Sequence, residues 1–234
     1  TSFFFFENDG SLRYGIECIS QPFTLNYLYD NERELKKFFN NLIEQGCTSH
    51  DTTTCGFHVH INRRAFGSTE EEQNNNINKL VIFFEFYSEY IQKFARRGNV
   101  NYCRYLSNYY HSLDNIDKLK VSTEFIDKYK VGSGHTQVIN LTNTNTVEVR
   151  AFKGTLNFET YVATLEFLSN LIDVITTTED VRRISFSKVV NANKTKYLKK
   201  YIASRGLVYG HHRISTSDYE MMLLRVNLKK QQYT

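Results

Sequence analysis

The run Cys55-Gly56-Phe57-His58-Val59-His60-Ile61-Asn62-Arg63-Arg64 places two histidines two residues apart in an otherwise apolar stretch. In a strand, alternate side chains point to opposite faces. His58, His60 and Asn62 then share one face, and Phe57, Val59 and Ile61 line the other. Imidazoles are poor core material but good metal ligands and good phosphate partners. The run alone leaves two readings open: a half-buried strand with two surface histidines, or a strand whose polar face holds a ligand.

A second run, Thr146 to Thr155, has the same parity. Val147, Val149 and Ala151 fall on one face, and Glu148, Arg150 and Phe152 on the other. A third run, Tyr14 to Ser20, carries Glu17 at its centre. Charges midway along apolar strands are costly unless paired or coordinated. Glu148 and Arg150 stand two apart on one strand, so the expectation is that each finds its partner elsewhere, on another strand or on a ligand.

Elements must position these side chains. Phe3 to Glu7 and Arg13 to Ile19 read as a hairpin across Asn8-Asp9-Gly10-Ser11. A helix is expected over about 31–45, with Leu35, Phe38, Phe39, Leu42 and Ile43 inward, Asp30 or Asn31 at its start and Gly46 at its end. Ser68/Glu71 and Thr69/Glu72 both have capping-box spacing, and open one long helix reaching about Ala95, closed by Arg96-Arg97-Gly98. Gln137 to Leu141 and Thr146 to Phe152 form a second hairpin. Helices follow over about 157–176 and 193–204, with another near 216–232, while 99–127 is tyrosine-rich with weak periodicity. The order predicts an α+β domain: an antiparallel sheet with helices packed on one face and an open polar groove on the other. Glu17, His58, His60, Glu148 and Arg150 would form the groove's floor.

Composition fits one domain spanning 1–234. The 234 residues are 41% hydrophobic and 23% charged, an ordinary globular balance. A net charge of +4, with Lys and Arg spread along the chain, argues against a nucleic-acid partner. No apolar run is long enough for a membrane span, and no signal peptide is visible. Four cysteines without a C-x-x-C pair argue against a zinc knuckle and for a reducing, cytoplasmic compartment. Cys18 and Cys55 read as small packing residues. The absence of H-E-x-x-H disfavours a zinc hydrolase. His50, His111, His135, His211 and His212 lack motif support, and Gly132-Ser133-Gly134 reads as a flexible turn.

Three ordered motifs resemble those of the amidoligase enzymes. Asp9-Gly10-Ser11-Leu12 with Gly15-Ile16-Glu17, Ile19-Ser20 and Pro22 is similar to their DGSL…GxEIxSxP opening. Cys55 to Ile61, preceded by Thr48-Ser49-His50-Asp51, is similar to CGxHVHV, and Thr146 to Leu156 to TVEFRxFxGTL. The family belongs to the carboxylate–amine ligases that share the glutamine synthetase and glutamate–cysteine ligase fold. The resemblance implies ATP- and Mg²⁺- (or Mn²⁺-) dependent joining of a carboxylate to an amine, through an acyl phosphate. It implies Glu17, His58 and Glu148 as metal ligands, and Glu148, Arg150 and His60 as catalytic residues. His60 would also meet nucleotide phosphate, Arg150 would clamp phosphate or carboxylate, and Asn62, Arg64, Arg97 and Lys153 would be further nucleotide contacts. The implied partners are carboxylate and amine substrates, peptides or proteins among them, in a bacterial or phage setting. Family members carry a further acidic strand of the type FGxExE upstream of the first hairpin. Phe3 to Glu7 is no match for it, so the expectation is either that residues precede Thr1 in the natural protein or that this form lacks that strand and part of its metal site. A non-catalytic nucleotide- or anion-binding module on the same fold is the alternative.

Overall fold

The computed structural model describes residues 3–8, 10, 15–52, 54–98, 103–105 and 136–207. His111, His135, His211, His212, the Gly132 turn and the expected helix near 216–232 lie outside the described residues. Strands β1 (Phe4–Asn8) and β2 (Ile16–Ser20) pair antiparallel, as the first hairpin requires. Helices α1 (Leu25–Asp30) and α2 (Glu32–Glu44) follow, then β3 (Gly56–Asn62), α3 (Glu70–Phe86) and α4 (Ser88–Ala95). Next come β4 (Ile139–Asn140), β5 (Thr146–Lys153), α5 (Phe158–Thr177), α6 (Phe186–Val190) and α7 (Leu198–Ser204).

The fold is mixed α and β with small antiparallel sheets, but there are two of them among the described residues, not one. β1 and β2 form a two-stranded sheet, and β3, β5 and β4 form a three-stranded sheet in that order. Glu17, on β2, therefore lies in a different sheet from His58 and Glu148.

Local chemistry sets most element ends. Thr69 and Glu72 make the capping box of α3, each side chain reaching the other's backbone N–H. α2 ends at Gly46 in left-handed conformation (φ 80°), where Gly46 N–H bonds Ile43 O and Cys47 N–H bonds Leu42 O. Asn31 precedes α2 without capping it; its Nδ2 donates instead to Tyr27 O at the end of α1. The helix expected to run unbroken to Ala95 breaks at Tyr87.

Aromatic side chains join the layers. Phe4 of β1 stacks on Phe38 of α2 at 4.1 Å, and the neighbouring Phe39 meets Tyr161 of α5 at 5.0 Å. Tyr161 in turn stacks on Phe57 of β3 at 5.0 Å. A second group, Phe94, Phe167 and Phe186, ties α4, α5 and α6 together, with ring centroids 4.6 and 5.2 Å apart. The buried Glu166 belongs to this scaffold: it accepts from Tyr29 OH and from the N–H groups of Tyr197 and Leu198, capping the start of α7.

Candidate active site on β3 and β5

A bulge in β5 shapes the site. Phe57 pairs with Phe152, and Val59 with Val149, so His58 alone faces Arg150 and Ala151 together. Such an extra residue bends the strand and changes which side chains share a face. Phe152 lands on the helix side: it is 2% exposed and packs near Phe57 and Phe94, each at 6.3 Å. Simple alternation had put it beside Glu148. Strand parity counted from sequence is blind to an inserted residue, and that is why the expectation fails.

On the other face Glu148 is the hub, and it is buried rather than lying on an open floor (6% exposed). Its Oε1 accepts a hydrogen bond from Arg150 Nη1, and its Oε2 one from Asn140 Nδ2 at 2.7 Å. His58 Nδ1 lies 3.3 Å from Oε1, and His60 Nε2 3.9 Å from it. Glu148 and Arg150 thus do satisfy each other, contrary to expectation, because both project from the same face of one strand and the long guanidinium reaches back one step. Burial alone would push the Glu148 carboxyl up. The Asn140 hydrogen bond and the nearby Arg150, His58 and His60 outweigh that and hold it below the usual range. His58 is driven down to about 4, first by burial and then by the Arg150 charge. It is neutral at physiological pH, a hydrogen-bonding group rather than a cation.

The surroundings are tight. Arg96, the residue that ends α4, is left-handed (φ 58°) without being glycine, a conformation that costs an L-residue about 1–2 kcal/mol. Its Nη2 reaches Lys153 O at 3.3 Å. The turn sends Arg97 to the bulge, where Nη1 donates to Arg150 O (2.9 Å) and Phe152 O (3.4 Å). Arg97 therefore holds backbone. A methyl group at Gly56 would lie 2.7 Å from His58 Nε2 and 2.8 Å from Arg97 Nη1. Both are ends of side chains able to swing aside. Gly56→Ala is accordingly expected to shift stability by less than about 1 kcal/mol while lowering turnover roughly tenfold through displaced His58 and Arg97. Thermal melts and steady-state rates on one preparation check this; a large loss of stability with normal turnover would refute it.

The other candidates are placed as follows. His60 Nδ1 lies 3.3 Å from Thr146 Oγ1, at the exposed end of the site. Asn62 spends its side-chain oxygen on the Arg64 N–H (2.9 Å), capping the short 3₁₀ turn after β3. The Arg64 side chain is exposed. Lys153 pairs with Gly56 at the His58 end of the sheet. Glu17 stands opposite Glu7 across the β1–β2 ladder. His50 makes an exposed contact with Asp51, 3.1 Å away. All four cysteines are free thiols.

Sequence reasoning missed Asn140. Its signal was available: in Asn140-Leu141-Thr142 an Asx-type turn is favoured, and the hairpin loop that follows pairs Asn140 with Glu148.

The donor set offers a cation one carboxylate and two imidazoles. Among the described residues, however, no three His, Cys, Asp or Glu side chains are grouped to hold a metal ion. The Arg150 guanidinium also occupies the Glu148 oxygen nearest both histidines. As arranged, the cluster does not fit a divalent ion.

A buried Glu–Arg pair flanked by two strand histidines thus sits on a small antiparallel sheet in a mixed α and β fold. The family described as "Putative amidoligase enzyme" matches residues 5–172, and the chain belongs to it. No curated protein and no solved structure matches the chain. No described helix is long and apolar enough to cross a membrane.

Proposed function

We propose that this protein is an ATP-dependent carboxylate–amine ligase with a glutamine synthetase-like catalytic sheet. A carboxylate oxygen of one substrate takes the γ-phosphoryl group of ATP, giving an acyl phosphate and ADP. The amine of the second substrate then attacks the acyl carbon, and phosphate leaves as the amide forms. The observation that carries this reading is the buried Glu148, bound by Arg150 and flanked by His58 and His60, on the two strands whose motifs fall inside the family match.

The residues divide the work. Arg150 has a planar fork of donors suited to phosphate or carboxylate oxygens, and Nη1 marks where such an oxygen would exchange for Glu148 Oε1. His60, exposed, meets the incoming nucleotide or its phosphates. Neutral His58 packs the interior side of the carboxylate. Mg²⁺ or Mn²⁺ is the expected companion of ATP; such ions are commonly held by substrate phosphates with only one or two carboxylates. The substrates are a carboxylate and an amine, with peptides and proteins among the candidates for either, in a bacterial or phage cytoplasm.

The Arg150–Glu148 pair also favours a second reading. A guanidinium seated on that carboxylate suits a module that binds nucleotide or anion without turning it over. ADP release decides between the two. The ligase reading expects release that needs ATP, Mg²⁺, a carboxylate and an amine together, with an amide product by mass spectrometry. Nucleotide binding without turnover supports the module, and amide hydrolysis without ATP excludes both.

A further inference from the structure

Asn140 lies on β4 directly opposite Glu148 and is 3% exposed. Its Nδ2 donates to Glu148 Oε2 at 2.7 Å. Its Oδ1 accepts from the Thr142 N–H at 3.0 Å and contacts Thr142 Oγ1 at 2.8 Å. A backbone N–H can only donate, so the amide oxygen must be the atom facing Thr142 and the NH₂ must face Glu148. A side chain whose two ends are interchangeable in isolation is one-way here.

We propose that Asn140, locked by Thr142, is a positioning residue for the ligase site: it anchors Glu148 through Oε2 and leaves Oε1 as the working oxygen. The proposal rests on the ligase reading above. Among the described residues, Arg150, His58 and His60 converge on Oε1, and the hydrogen bond to Oε2 comes from Asn140. The anchor fixes the carboxylate plane and so the direction in which Oε1 meets an incoming group. A misplacement of about 1 Å in such a site can cost about 10²-fold in rate.

Three variants test it: N140A, N140D, and N140D combined with E148Q. N140D is isosteric but sets a second carboxylate against Oε2. N140A removes the anchor. Both are expected to lower kcat by up to about 10²-fold through the displaced carboxylate, with the KM values for ATP, carboxylate and amine changed only a few-fold. N140D is expected to lower the thermal midpoint by about 4–8 °C. Adding E148Q should recover most of that, since the glutamine amide can donate to the aspartate and one negative charge remains for Arg150. The double variant should nevertheless stay inactive, its carboxylate coming from the wrong strand. Wild-type kcat in folded N140D would overturn the positioning role, and no recovery of the midpoint would overturn the contact. A wild-type chain without ligase turnover would overturn the ligase reading instead, and the midpoint cycle then decides the anchor by itself.

Discussion

Glu148→Gln is expected to abolish amide formation and to destabilise the fold measurably. Both Glu148 oxygens accept from N–H donors, Arg150 Nη1 on one and Asn140 Nδ2 on the other. A glutamine has one oxygen to offer, so its NH₂ must face a donor. Asn140 cannot turn to relieve this, because Thr142 holds its oxygen. Arg150, whose side chain is 13% exposed, also loses the Glu148 charge beside it. Removing one partner of a buried pair costs about 3 kcal/mol or more, a midpoint drop of about 6–12 °C for a chain of this size. Turnover should fall by about 10³ or more, since the carboxylate also orders the groups that meet developing charge. Calorimetry and the ADP-release assay read the two effects; a variant that turns over like wild type would remove Glu148 from the chemistry.

Acid should act on the same centre. His58 is held down at about 4 against an ordinary 6.5, so its contribution to stability is complete above about pH 6.5 and disappears as pH falls to about 4. The Glu148 carboxyl is also held low, so its contribution is complete above the ordinary carboxylate value of 4.5 and is lost at lower pH. E148Q loses the second part of this profile and moves the first to lower pH, because the Glu148 charge is what holds His58 up against burial and Arg150.

What could be read from the chain follows from which interactions are local. Thr69-x-x-Glu72, the Gly46 terminus and the period of α5 are local signals, and each appears where the sequence places it. That His58, His60 and Glu148 share one polar surface was also legible, because each sits at the centre of an alternating run; that β3 and β5 are direct neighbours was not. The bulge was not. Its carbonyls are met by Arg97, 53 residues away in sequence, and no pattern within the strand announces that contact. Without the bulge, Phe152 is assigned to the wrong face. The division into two sheets was hidden for a similar reason: alternation identifies strands but not which strand neighbours which. Asn62 shows the converse error. Its parity on β3 was read correctly, but a turn immediately after the strand claims its oxygen.

Arg97→Met is expected to lower turnover by about 10²-fold while costing only about 1–2 kcal/mol of stability. Arg150 O and Phe152 O flank Ala151, the residue the bulge adds, and Arg97 Nη1 serves both carbonyls. At this point the guanidinium does what a neighbouring strand does elsewhere in a sheet. Methionine keeps the length and the packing but donates nothing. Part of the lost hydrogen bonding is offset, because burial disfavours the Arg97 charge, its pKa being lowered chiefly by desolvation. The midpoint should therefore move by only about 2–8 °C. Catalysis has no such offset. Arg150 and His58 face each other across the bulge, and a relaxed bulge displaces both relative to Glu148; an error of about 1 Å in such a site can cost 10²-fold. Arg97→Lys should fall between the two, because a compact ammonium can stand near the carbonyls without the rigid planar fork. If Arg97→Met kept wild-type kcat, or lost only what partial unfolding removes, the bulge would be a packing feature and Arg97 would have no part in placing the site.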